Sequence, residues 1–286
     1  MRYTKAQFEK EFPSDDACLE AVFQARFGDL KFCPKCAAET KFYRIKKRKA
    51  YACMHCGYQL HPLSKTIFRK SSTSLKNWFY AIYLFSVSKN GVSAKELERH
   101  LGVTYKCAWR MCKQIRLLMA QEPGKFMGIV EADETFYGGR RPIERRFDNK
   151  VAILGIAEKK GRVKTKVLDG KVRAGKVMPY LLDNIEPLSV LHTDESGLYN
   201  QAHKVFKHRT VDHGWHTYVS PTGVHTNNLE GFWSQLKRSI NGTYHAVSPK
   251  YLQSYVDEFA FRYNHRGDVV GLVLLERAKK PVQSIV

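Results

Sequence analysis

Three acidic residues in the C-terminal half of the chain stand where a carboxylate could take part in chemistry. Asp133 lies in a strand-like run, EADETF; Asp194 ends another, VLHTDE; Glu230 lies near the start of a helix-like segment, NNLEGFWSQLKRS. Reactive groups in mixed α/β sheets gather at strand ends and the helix starts beside them, so these carboxylates could converge. Without a cation they would repel one another, and at least one would take up a proton. A pair of Mg²⁺ ions, which prefer hard oxygen ligands, would remove that repulsion and could assist a phosphoryl displacement.

Each acid also fits a purely structural role that the residues alone leave open. Asp133 suits solvent contact at a strand end, and Asp194 suits the N-cap of a short helix, SGLYNQAH. Glu230 suits the first turn of a helix, where the macrodipole favours an acid. The placement of the three acids on two strands and one helix, in a basic chain, is the reason to consider a metal site beside these structural roles.

Four of the seven cysteines form two CxxC pairs, Cys33–Cys36 and Cys53–Cys56, separated by 16 residues. This spacing is typical of a zinc ribbon, in which each pair offers two thiolates to one tetrahedral ion. Gly57 suits the turn after the second pair, whereas His55 is expected to face solvent. We predict a structural Zn²⁺ on these four cysteines; the alternative is a small β unit with reduced thiols.

The elements predicted around these residues divide the chain into five segments. They are a helical segment (1–30), the zinc ribbon (31–60), a helical region (61–120), an α/β domain (126–270) and a C-terminal tail (271–286), with a linker at 121–125. The α/β domain has the predicted order β, β–β hairpin, α, β, α, β, α. This order describes a mixed sheet whose first three strands form a meander and whose later two join through a helical crossover.

The helical region contains a helix-turn-helix pattern. The sequence predicts a first helix over 93–100, a turn at 101–103 and a second helix from Thr104, with Ser93 and Thr104 as N-caps. The second helix begins with residue types that can reach phosphates or base edges: Thr104, Tyr105, Lys106 and Arg110. A plain helical pair packed in a bundle is the alternative.

The net charge of +21, from 48 Lys and Arg against 27 Asp and Glu, concerns partners more than fold. Nucleic acid is the first candidate partner and an anionic membrane surface the second, while an inert basic surface is the alternative. No apolar run approaches the roughly 18 to 20 residues that span a bilayer. The N-terminal residues have no apolar secretory segment, so we expect an intracellular protein without a membrane partner.

Three segments together resemble those of a known family: EADETFYGGR, VLHTDESGLY and HTNNLEGFWSQLKRSINGTYHAVSPKYLQSYVDEFAFRYNHR. They look like those of ISXO2-like insertion-sequence transposases, which have an N-terminal zinc ribbon and an RNase H-like catalytic domain of the DDE type. The resemblance covers residues from about 30 to about 270. By resemblance, Asp133, Asp194 and Glu230 are the three catalytic acids, and Lys237 is a basic residue that contacts DNA near the scissile phosphate. Some relatives carry Asn or His in place of the third acid, so Asn228, which lies close to Glu230 in the sequence, is the runner-up as the third metal ligand. The loop from Tyr137 to Arg141 is similar to one in relatives and would approach the phosphate backbone.

The resemblance implies a DNA transposase that cleaves and joins strands with two Mg²⁺ (or Mn²⁺) ions. Its partners would be the double-stranded DNA of the element ends and of the target, bound by a homo-oligomer in a bacterial-type cytoplasm, at the nucleoid. Two alternatives remain open. One is a non-catalytic DNA-binding regulator derived from such an enzyme, and the other is a nuclease of the same fold that cleaves without joining.

Overall fold

The computed structural model describes residues 3–138, 150–159, 161–210 and 227–282. The chain divides into two compact units: the first comprises Met1–Met119 together with Gly267–Val286, and the second is Ala120–Arg266. The boundary after Met119 lies next to the predicted linker at 121–125. The first unit is therefore discontinuous in sequence, with the whole of the second unit inserted between its two parts.

The chain begins with two helices where the sequence predicts one over 1–30. They are α1 (Lys5–Glu11) and α2 (Asp15–Phe27). Pro13 lies between them, and it has no N–H to continue the hydrogen-bond pattern of α1. Ser14 then starts α2, because its hydroxyl accepts the Ala17 N–H at 3.2 Å. The predicted single helix is thus wrong, while its helical character is confirmed.

The ribbon segment forms a three-stranded antiparallel sheet in the order β1-β2-β3. Its strands are β1 (Phe42–Arg44), β2 (Tyr51–Cys53) and β3 (Gln59–Leu60). Tyr51 attaches this sheet to α2: its ring stacks on Phe23 with centroids 3.8 Å apart, and its hydroxyl donates to Glu20 at 2.6 Å.

Three helices follow: α3 (Leu75–Val87), α4 (Ala94–Leu101) and α5 (Tyr105–Leu117). The predicted N-caps are confirmed, since Ser93 accepts the Glu96 N–H at 3.1 Å and Thr104 accepts the Cys107 N–H at 3.4 Å. Gly102 ends α4 in the left-handed region, at φ 63°, which favours glycine. The α4–turn–α5 pair therefore forms the predicted helix-turn-helix.

The second unit is built on a five-stranded sheet in the order β6-β5-β4-β7-β8. Its strands are β4 (Ile129–Tyr137), β5 (Val151–Glu158), β6 (Val163–Leu168), β7 (Val190–Thr193) and β8 (Lys207–Thr210). The first three form an antiparallel meander, and β7 and β8 run parallel to β4. The predicted mixed sheet is confirmed, with the arrangement that the RNase H-like resemblance implies.

Helices cover both faces of this sheet: α6 (Ala174–Asn184) lies on one, and α7 (Asn227–Ser239) and α8 (Pro249–Asn264) lie on the other. Successive side chains of a strand point to opposite faces. Ala132 of β4 accordingly packs on the α6 side, whereas Asp133 contacts α7 on the other. The predicted short helix after β7 is replaced by two 3-10 turns, Gly197–Tyr199 and Ala202–Lys204.

Part of the segment that the sequence predicts as a C-terminal tail is a packed helix of the first unit, α9 (Val270–Ala278). Leu274 and Leu275 are buried, and α9 packs against α3. Two hydrogen bonds hold its end: Arg277 donates to the Leu118 carbonyl at 2.9 Å, and the Val282 N–H donates to the Lys65 carbonyl at 2.9 Å.

Among the described residues, no helix combines the length and apolar character needed to cross a membrane.

Candidate catalytic and metal sites

The four ribbon cysteines bring their sulfur atoms into one cluster, all within 4.8 Å of one another. Cys33 Sγ lies 3.6 Å from Cys56 Sγ, and Cys36 Sγ lies 3.9 Å from Cys53 Sγ. A tetrahedral zinc ion with Zn–S bonds of about 2.3 Å requires sulfurs roughly 3.8 Å apart. The geometry and the thiolate donor set therefore fit a structural Zn²⁺, as the spacing predicts.

The backbone of each CxxC pair turns in the same way. The Ala37 N–H donates to the Cys33 carbonyl at 2.9 Å, and the Gly57 N–H donates to the Cys53 carbonyl at 3.1 Å. Both closing residues are left-handed, with φ 54° at Ala37 and 71° at Gly57, which confirms the expected role of Gly57. His55 is exposed and outside the sulfur cluster, as predicted.

The sheet register places the first two acids side by side. Glu131 of β4 pairs with His192 of β7. Asp133 follows Glu131 by two residues, and Asp194 follows His192 by two residues. Adjacent strands are about 4.8 Å apart. Asp194 directly follows the end of β7 at Thr193. The strands that follow β4 in sequence are first added on one side of it (β5, β6) and then on the other (β7, β8). The two aspartates therefore lie where the strand order changes direction, a common place for sites in α/β sheets.

The carboxylate of Asp194 is oriented by the chain that follows it. The Ser196 N–H donates to Asp194 Oδ1 at 3.1 Å. Ser196, rather than Asp194, is the N-cap of the 3-10 turn, since its side chain accepts the Leu198 N–H. The hydrogen bond from Ser196 fixes one carboxylate oxygen without using Asp194 as the helix cap.

Asp133 is linked to the helix that carries Glu230. Trp233 donates its indole N–H to Asp133 Oδ2 at 2.9 Å. Glu230 precedes Trp233 by three residues, so the two side chains are neighbours on the α7 surface. Phe232 and Trp233 are buried, which confirms that they belong to the core.

The three carboxylates are electrostatically coupled. Burial raises the pKa of Asp133 to about 6, with the charges of Asp194 and Glu230 contributing, while the Trp233 hydrogen bond opposes the rise. Among the described residues, the four cysteines are the one group of three or more potential ligands close enough to share a single ion. Asp133, Asp194 and Glu230 do not form such a group.

A second acid of β4, Glu134, lies on the α6 side of the sheet. Tyr199, which is fully buried, donates its hydroxyl to Glu134 Oε2 at 2.8 Å. Burial raises the pKa of Glu134 to about 7, although this hydrogen bond lowers it. Because Tyr199 lies five residues after Asp194, the contact ties the segment that carries Asp194 to β4.

The remaining predicted site residues are placed as follows. Lys237 is exposed near the end of α7, seven residues after Glu230, so a rotation of about 700° puts both on one side of the helix. Asn228 donates its side-chain amide to Glu131 Oε1 at 2.6 Å. In the predicted phosphate loop, Tyr137 accepts the Val247 N–H at 2.9 Å, while residues 139–141 lie outside the described residues.

Sequence reasoning missed Gly155, which makes room for the indole. Gly155 pairs with Asp133 across β4 and β5. A Cβ at this position would lie 2.5 Å from Trp233 Cζ2 and 3.0 Å from Leu229 Cδ2. An isolated glycine inside the apolar run VAILGIAE is a signal for close approach of another group, and here that group is Trp233.

Gly155→Ala is expected to push the indole away and to break its hydrogen bond to Asp133. Overpacking of this kind costs about 1–3 kcal/mol of unfolding free energy. Denaturant unfolding measures the loss, and ¹⁵N-indole NMR of the four tryptophans reports whether the Trp233 signal moves.

Gly231→Ala is the matched control, because nothing lies within 4 Å of a Cβ there. In a helix interior this change stabilises by up to about 1 kcal/mol. Equal effects of the two alanines would contradict the close-approach explanation for Gly155.

Comparison with known proteins agrees with this geometry. Residues 125–264 match the ISXO2-like transposase domain, and residues 13–59 match the transposase zinc-ribbon domain. A Halobacterium salinarum protein named "Uncharacterized protein in transposable element ISH50" is 25% identical over 278 residues, covering 88% of this chain and 92% of its own. The two matched domains account for the cysteine cluster and for the sheet that bears the acids. The chain therefore belongs to the insertion-sequence transposases that join a transposase zinc ribbon to an ISXO2-like transposase domain.

Proposed function

We propose that this transposase cuts DNA at the ends of its mobile element and joins the freed ends to target DNA. The observation that carries the proposal is the arrangement around Asp133. Asp194 is level with it in the sheet, and Trp233 ties it to the helix that bears Glu230. Three carboxylates on two strands and one helix are the arrangement expected of a phosphoryl-transfer site.

The donor set fits two Mg²⁺ or Mn²⁺ ions held by Asp133, Asp194 and Glu230. All three offer hard carboxylate oxygens. Burial, together with the nearby charges of Asp194 and Glu230, raises the pKa of Asp133 and disfavours its ionised form, which a divalent ion would stabilise. When bound, such ions promote ionisation of the attacking hydroxyl and stabilise the departing oxygen. Glu230 is preferred to Asn228 as the third ligand because it offers a charged carboxylate, whereas the neutral Asn228 side chain is held against Glu131.

Two displacements account for cleavage and joining. In the first, a water oxygen bonds to the phosphorus at the element end, the bond to the 3′ oxygen breaks, and that oxygen leaves as a 3′-hydroxyl. In the second, the 3′-hydroxyl bonds to a target phosphorus, and one bond of the target strand breaks in exchange. Each step forms one phosphorus–oxygen bond and breaks one, so no covalent bond to the protein is needed.

Basic residues around this site and in the first unit would hold the DNA. Lys237 and Arg238 are exposed at the end of α7, with Lys237 about 10 Å from Glu230 along the helix axis. In the helix-turn-helix, Tyr105 and Lys106 are exposed at the start of α5. With a net charge of +21, binding to nucleoid DNA should weaken steeply as salt rises. We also propose a homo-oligomer, since two element ends must be held together for joining.

The test uses pre-cut element-end DNA, taken from the sequence that flanks the gene, with a target plasmid in Mg²⁺ or Mn²⁺. We expect joined product with the wild type and at least about a 100-fold loss with Glu230→Gln, because one charged ligand is removed. Glu186→Gln, an exposed acid of the same unit, is the matched control and should join normally.

Three results would contradict the proposal. Normal joining by Glu230→Gln would remove Glu230 from the site. Salt-sensitive DNA binding without cleavage or joining by the wild type would favour a regulatory role, whereas cleavage without joining would favour a nuclease.

A further inference from the structure

Glu131 is a buried acid that none of the proposed catalytic steps uses. Its side chain is on β4, two residues before Asp133, and is only 1% exposed. Residues two apart on a strand share a face, so Glu131 and Asp133 both point toward α7. The Glu131 neighbour on β7 in the sheet register, His192, is also buried.

The Glu131 carboxylate receives three N–H groups from the start of α7. Oε2 accepts the backbone N–H of Asn228 at 3.1 Å and that of Leu229 at 3.4 Å. Oε1 accepts the side-chain amide of Asn228 at 2.6 Å. The first N–H groups of a helix have no partner within the helix, and a negative charge there is also attracted to the positive end of the helix dipole. Glu131 thus attaches the N-terminus of α7 to the sheet.

This attachment and the Asp133–Trp233 hydrogen bond form two ties between the same strand and the same helix. Their strand ends, Glu131 and Asp133, are about 6.6 Å apart along β4. Their helix ends, Asn228 or Leu229 and Trp233, are about 6–7.5 Å apart along α7. Since the spacings match, α7 runs alongside β4 here, and both ends of its first turns are fixed.

Glu230 lies between the two ties. Loss of the Trp233 tie alone would leave the helix start in place, but loss of the Glu131 tie would free the turn that carries Glu230. A displacement of about 1 Å at such a site is enough to lower a rate by about 100-fold.

We propose that Glu131 is a positioning residue that holds the first turn of α7 against β4 and thereby presents Glu230 to the site of Asp133 and Asp194. This proposal rests on the proposed function, in which Glu230 is a metal ligand. It assigns Glu131 no contact with metal or DNA.

The first test compares Glu131→Leu with Glu131→Gln in zinc-loaded protein, by titration of Mn²⁺ followed by electron paramagnetic resonance. Leucine removes all three hydrogen bonds, so we expect at least tenfold weaker Mn²⁺ binding. Glutamine can accept both backbone N–H groups with its side-chain oxygen. It can also donate to the side-chain oxygen of Asn228 if that amide flips by about 180°, so the Mn²⁺ affinity of Glu131→Gln should stay within about threefold of wild type. A leucine variant with a lower melting temperature but wild-type Mn²⁺ affinity would reduce Glu131 to a purely structural residue.

The second test exchanges the partners. Asn228→Asp sets a carboxylate against that of Glu131, so we expect at least tenfold weaker Mn²⁺ binding. In the double variant, the side-chain amide of Gln at position 131 can donate to the carboxylate of Asp at position 228. Adding Glu131→Gln should therefore recover most of the Mn²⁺ affinity. If Glu131 were itself a metal ligand, the exchange would not restore binding; if Asn228 were the third ligand, Asn228→Asp would strengthen it. Either result would overturn the proposal.

Asp133→Asn in the same titration separates this proposal from the one on which it rests. Wild-type Mn²⁺ affinity in Asp133→Asn would refute the carboxylate metal site altogether. Weak binding in Asp133→Asn combined with wild-type affinity in Glu131→Leu would refute the positioning role alone.

Discussion

Asp133→Asn is expected to lower both cleavage and joining by at least about 10³-fold while the protein remains folded. In the proposed site the change removes a charged ligand, which would cost several kcal/mol of transition-state stabilisation. An asparagine oxygen can still accept the Trp233 indole N–H, so α7 should stay in place. Single-turnover assays on pre-cut ends measure the rate, and circular dichroism with ¹⁵N-indole NMR checks the fold.

The same variant should be more stable than the wild type in metal-free buffer above pH 6. The pKa of Asp133 is about 6 in the folded protein against an ordinary 3.8, so folding favours its protonated form. Relative to the variant, the wild type is equally stable below about pH 4 and loses about 2–3 kcal/mol as the pH rises through 6. Mg²⁺ should restore this stability in the wild type, since it favours the ionised carboxylate, and should have little effect on the variant.

Glu186→Gln again serves as the control and should change neither activity nor the response to Mg²⁺. If the metal-free stability of the wild type and Asp133→Asn followed the same pH dependence, the raised pKa of Asp133 would be wrong. Full activity of Asp133→Asn would exclude it as a ligand.

The second large effect is expected from loss of the structural zinc. Removing Zn²⁺ with a chelator, or replacing Cys53 by serine, should unfold residues 31–60 and leave the five-stranded sheet intact. Structural zinc contributes about 10–16 kcal/mol of binding free energy, which in small metal domains is folding free energy. Hydrogen–deuterium exchange of peptides from the two units separates the responses, and the bound zinc is counted by mass spectrometry of the native protein.

Cys107→Ser provides the control for the cysteine change. Cys107 is half-buried on α5, outside the sulfur cluster, and its thiol lies 3.2 Å from the Thr73 hydroxyl, a contact that serine can keep. It should therefore retain one zinc and normal protection of 31–60. Unchanged protection in the metal-free protein would show that the ribbon folds without zinc.

The features that the sequence predicts correctly are those that depend on residues close together in the chain. The cysteine spacing, the caps Ser93 and Thr104 and the turn at Gly57 depend on residues a few positions apart, and the structure confirms them. The strand order of the α/β domain was also predictable, because it follows from the succession of hydrophobic patterns and the short connections. The position of Asp194 at a strand end followed from the same patterns.

What sequence did not reveal depends on residues far apart in the chain. Glu131 is one acid among several in EADET, and its role becomes visible only because Asn228, 97 residues later, lies against it. The role of Gly155 likewise becomes visible only because Trp233, far along the chain, packs against it. The break between α1 and α2 is an exception, since Pro13 and the cap Ser14 mark it locally, whereas the apolar stripe from Leu19 to Phe27 indicates only that the segment is helical. The sequence predicts a tail over the residues of α9 because their partners on α3 are almost 200 positions away.

The discontinuity of the first unit bears on the order in which the chain is made. During synthesis the ribbon and helix-turn-helix emerge first, but α9, which packs on α3, emerges only after the entire second unit. The first unit therefore lacks part of its apolar core until the five-stranded sheet has been translated. A chain cut short after residue 266 would keep Asp133, Asp194 and Glu230 but lack α9, so premature termination should leave the five-stranded sheet intact beside a destabilised first unit.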